Sequence, residues 1–78
     1  MYENVRVELA RKNMTLAELL DAVNDVLTEY GERPMRYQTL SEKMRGNFPL
    51  LFREAVAIKK ALDVDMPLEE LFSKKVTA

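Results

Sequence analysis

A chain of 78 residues with no cysteine and no histidine excludes a disulfide framework, a thiolate zinc site and a histidine general base. Its composition, 47% hydrophobic with two glycines and three prolines, excludes a disordered segment, and the shortage of β-branched runs and hairpin turns argues for helices throughout. The net charge of −1 is not that of a uniformly basic nucleic-acid binder, so any such role must come from the distribution of charge.

In chain order, a first helix is predicted over about 2–12, with Val5, Leu9 and Tyr2 on one face and Glu8–Lys12 as a favourable i,i+4 pair. Asn13-Met14 makes a turn, and Thr15 with Glu18 has the spacing of a capping box. A second helix follows over 16–30. Leu16, Leu19, Leu20, Val23, Leu27 and Tyr30 recur along its buried side with Val26 at the border, while Glu18, Asp21, Asp25 and Glu29 line the other. Gly31 supplies a left-handed stop and Pro34 bars continuation.

A third helix is predicted over 36–45, burying Leu40 and Met44 and stopped by Gly46. The connector Phe48-Pro49-Leu50-Leu51 is expected to bury its apolar groups. A fourth helix over 52–62 is expected to bury Phe52, Ala55, Val56, part of Ile58, and Leu62. A fifth, over 67–73, is expected to be capped by Asp65 or Met66 with Pro67 in its first turn, docked by Leu68, Leu71 and Phe72, and frayed from Ser73 onward. Tyr30, Tyr37, Phe48, Phe52 and Phe72 fall at core spacing. The whole chain is expected to form one domain.

The charges are segregated along this order. Residues 13–32 carry five acids and no base, whereas residues 33–60 carry seven bases against two acids. A small domain so divided can present one basic face while staying nearly neutral. No apolar run approaches the ~18 residues of a membrane span, and no secretory h-region opens the chain. A cytoplasmic location is expected, without membrane attachment, cofactor or metal. The carboxylates of the second helix have no histidine or second carboxylate helix to complete a metal site.

The stretch Gln38-Thr39-Leu40-Ser41-Glu42-Lys43-Met44-Arg45-Gly46-Asn47 is a short polar helix ended by glycine. It follows Thr15-Leu16-Ala17-Glu18-Leu19 and precedes Glu54-Ala55-Val56-Ala57-Ile58. Together with the closing run Pro67-Leu68-Glu69-Glu70-Leu71-Phe72, it resembles the lambda-repressor-like (Cro/XRE-type) helix-turn-helix family, prophage members in particular, over roughly Val5 to Phe72. The resemblance implies an all-α, five-helix DNA-binding domain with an extended second helix and a long loop before the third. It also implies a transcriptional regulator that reads the major groove of duplex DNA with the third helix.

Carried over by position, the resemblance puts Arg36, Tyr37, Gln38, Thr39 and Glu42 at base edges, and Thr15, Lys43, Arg45 and Asn47 at backbone phosphates. Three departures stand out. The span from Thr15 to Gln38 is about ten residues longer than in the common family with its three- or four-residue turn, because the second helix is extended and a Gly31-Glu32-Arg33-Pro34 loop intervenes. Leu16 stands where many members carry glutamine, and the acidic stripe of the second helix would be repelled if it faced the duplex.

A homodimer is implied, because one recognition helix offers one half-site. Met35, Val26, Tyr30 and the end of the second helix are candidates for its surface. The alternative keeps the fold without the DNA: a protein-interaction module, an antirepressor or accessory factor, docking through its acidic face. An enzyme is not expected, nor a small-molecule substrate, since without histidine or cysteine catalysis would fall to carboxylates or lysine alone.

Overall fold

The structure, a computed structural model, describes residues 1–73. Within them the chain is all-α, with five helices and no strand. They are α1 (Glu3–Arg11), α2 (Leu16–Glu29), α3 (Tyr37–Arg45), α4 (Phe52–Leu62) and α5 (Leu68–Leu71). The expected fraying of the tail falls, beyond Ser73, outside the described residues.

Local chemistry accounts for the boundaries. Thr15 Oγ1 accepts the Glu18 amide at 3.1 Å while Glu18 Oε1 accepts the Thr15 amide at 2.9 Å, so two otherwise orphaned donors open α2 satisfied. Gly31 (φ 75°) and Gly46 (φ 86°) end α2 and α3 in the left-handed region. In both cases the next amide reaches back five residues along the chain: Glu32 to the Leu27 carbonyl at 2.9 Å, and Asn47 to the Glu42 carbonyl at 3.0 Å. α5 is shorter than expected and opens differently: Pro67 is itself the cap, in extended geometry, so neither Asp65 nor Met66 fills that role.

The core is a shared stripe from every helix. Val5 and Leu9 of α1, Leu19, Val23 and Leu27 of α2, Leu40 and Met44 of α3, Ala57, Ile58 and Leu62 of α4, and Leu71 of α5 are buried. Each large side chain among them contributes about 1.5–3 kcal/mol by leaving water. α4 packs chiefly on α2 and carries α5 against α1. The Tyr2 and Phe72 rings meet edge to face with centroids 5.3 Å apart, and Asn4 Nδ2 donates to the Glu70 carbonyl at 2.7 Å. The Tyr2 amide donates to the Met44 carbonyl at 3.1 Å, which ties the start of the chain to the last turn of α3.

Several burial expectations are corrected. Ile58 is wholly buried and Ala57 joins it, whereas Phe52 is 76% exposed, and Phe48, Leu51, Tyr37 and Tyr30 are also exposed. Phe52 is the first residue of α4, where a side chain leans back over the turn before its own Cα and therefore off the end of the core. Glu8 pairs with Arg11 at 3.0 Å, not with Lys12. Met35 is buried, which removes it from any dimer surface.

Candidate nucleic-acid interface

α3 is anchored from beneath and open above. Leu40 and Met44 hold it to the core, and the opposite side carries Gln38, Glu42 and Arg45, with Arg36 as its N-terminal cap. Arg36, Tyr37, Gln38 and Arg45 are exposed, and Thr39 and Glu42 are half-buried. Among the described residues, neither the Gln38 amide nor the Arg36 guanidinium has a side-chain partner. Arg36 makes no side-chain cap and the first turn carries no acid, so the leading amides of α3 lack a side-chain acceptor at an end whose dipole favours anions.

The segment between α2 and α3 does not lie over this face. Asn24 of α2 fixes it from below: its Oδ1 accepts the Met35 amide at 2.7 Å and its Nδ2 donates to the Met35 carbonyl at 3.0 Å. Both backbone groups of Met35 are thereby satisfied while its side chain sinks into the core. Tyr30 and Glu32 extend the same segment over α4, with Lys60 Nζ 5.1 Å from the Tyr30 ring centre and Arg53 ion-paired to Glu32 at 2.5 Å. Contact with Tyr30, foremost a hydrogen bond, raises the Lys60 pKa.

The positions expected to meet phosphate separate on inspection. Lys43 does not stand free: its Nζ lies 2.5 and 2.6 Å from the two Glu54 oxygens, and both side chains are only 13% exposed. Glu54 Oε1 also accepts the Leu51 amide at 2.9 Å, so one carboxylate joins α3, the connector and the start of α4. This lysine orients α3 instead of presenting charge. Asn47 is likewise engaged, donating to Glu42 at 2.9 Å. Glu42 in turn lies 3.5 Å from Arg45, whose side chain remains 65% exposed. The Thr15 hydroxyl is exposed, with one lone pair occupied by its cap.

Sequence reading alone does not single out Arg33, Arg53 or Asn24. The two arginines border one groove with Arg36 and Thr39, formed where the 32–36 segment faces the start of α4. The signal for them was present in the basic run from residue 33, but not their convergence. Asn24 offered no signal, since a polar residue on a half-buried helix flank has many ordinary explanations. The acids Glu18, Asp21, Asp25 and Glu29 are exposed on the solvent side of α2, and among the described residues no three potential ligands are grouped to hold a metal ion. No described helix is long and apolar enough to cross a membrane. Comparison with protein-family models, curated proteins and solved structures found no match.

Proposed function

We propose that this chain is a sequence-specific duplex DNA-binding regulator of the phage or prophage kind, built on a lambda-repressor-like fold and reading the major groove with α3. The observation that carries the reading is the uncovered, unpartnered pair Arg36 and Gln38 at the leading end of a short helix anchored only on its far side. A bidentate glutamine selects adenine and a bidentate arginine selects guanine, each worth about 1–3 kcal/mol of discrimination. Tyr37 and Thr39 flank them. Arg45, at the other end of α3, is placed for a backbone phosphate, and the capped start of α2 at Thr15 offers a second such contact. Glu42 is tied to Asn47 and Arg45, so its role is to orient those two side chains. Two copies of the chain would supply the paired half-sites that one helix cannot.

A duplex selected from a randomised pool provides the test. The Arg36→Ala/Gln38→Ala variant should lose its preference for that duplex over random sequence at fixed salt. Undiminished preference would remove α3 from base reading.

The exposed Phe48, Leu51 and Phe52 favour a second reading, a protein-interaction module without DNA. Under that reading, binding to random duplex would be absent or indifferent to salt.

A further inference from the structure

We propose that the groove between the 32–36 segment and the start of α4 is a site for a phosphodiester of the DNA backbone, latched in the free protein by Glu32 on Arg53. The inference rests on α3 as the duplex-reading helix and extends it to Arg33, Arg53 and Glu32, which that reading does not use. The groove has a volume of about 320 Å³ and is lined by Arg33, Arg36 and Arg53 over Leu27 and Met35. Both of those apolar residues are buried, so the guanidinium groups work above a dry floor that screens them less than open water would.

Charge then selects the ligand. Arg33 and Arg36 are exposed and, among the described residues, have no ion-pair partner. The second carboxylate on the groove wall, Glu54, is neutralised by Lys43. A planar guanidinium fork matches two phosphate oxygens, so guanidinium groups around one groove suit an oxyanion such as a backbone phosphodiester. Arg36 belongs both to this groove and to the leading end of α3, which places the groove where a strand's backbone borders a major groove occupied by that helix.

Arg53 is the exception among the three, since Glu32 holds it at 2.5 Å across the groove. A phosphate entering there repels the Glu32 carboxylate and takes its place on Arg53. Glu32, with its side chain 35% exposed, has solvent to turn into. The latch therefore discounts backbone affinity until a phosphate is delivered.

Fluorescence anisotropy with a labelled random duplex over a sodium chloride series tests this on the whole chain. Log affinity should fall linearly with log salt, and Arg33→Ala and Arg53→Ala should each make the slope shallower by about one. Arg53→Lys should keep the wild-type slope, showing that lost charge and not a damaged fold is responsible. Glu32→Gln should raise affinity about two- to fivefold, the scale of one exposed ion pair. A steep wild-type slope left unchanged by both alanine variants would overturn the groove while leaving α3 intact. Loss of any salt-dependent binding by the wild type would instead overturn both.

Discussion

Asn24 offers the Met35 backbone an acceptor and a donor at once, and both are used. Removing that side chain strands a backbone amide and carbonyl in a half-buried place. Asn24→Ala should therefore lower stability by about 1–3 kcal/mol in a urea melt. Its protection should vanish with it, leaving the Met35 amide free to exchange its hydrogen. Thr15→Ala removes a simpler device and should cost about 1 kcal/mol in the same melt. The capping box was legible in the sequence because its two residues are neighbours and their chemistry is local. The Asn24–Met35 pairing spans eleven residues and depends on how the chain turns, so no local pattern reveals it. The misplaced aromatics have a related cause. Phe48 and Phe52 are apolar enough for a core, but they flank the connector at positions where α3 has already ended and α4 has only begun.

At the scale of elements, α3 owes its orientation to Lys43 and Glu54 as much as to Leu40 and Met44. Either single change, Lys43→Met or Glu54→Leu, leaves one charge poorly hydrated and without its partner, and should destabilise by about 2–3 kcal/mol. The double variant should be less destabilised than the worse single one, because no charge is then left stranded. A thermodynamic cycle from denaturant melts reads this directly. Tyr30 on Lys60 ties the end of α2 to α4. The raised Lys60 pKa means that this contribution is fully present at and below the ordinary lysine range. It should be lost only as pH climbs through the raised value, so melts near neutrality should not detect its titration. The helices were legible to within a residue or two from periodicity, caps and glycine stops. The cap of α5 was not, because a proline that suits a first helical turn serves equally as the cap before it. The candidate site was legible as a helix and a basic run. Which of its cations stand free was not, since that depends on which acids the packing brings beside them.

Across the described residues, the acids exposed on α2 and the bases that follow residue 33 are segregated along the chain of a nearly neutral protein. An approaching duplex should be turned toward α3 and away from α2 before any contact forms. Amide NMR with a random duplex tests whether the open side of α3 meets DNA. Titration should shift Arg36 to Arg45 together with Arg33 and Arg53, and leave Asp21, Asp25 and Glu29 in place. Shifts confined to α2, or none at all at low salt, would contradict it.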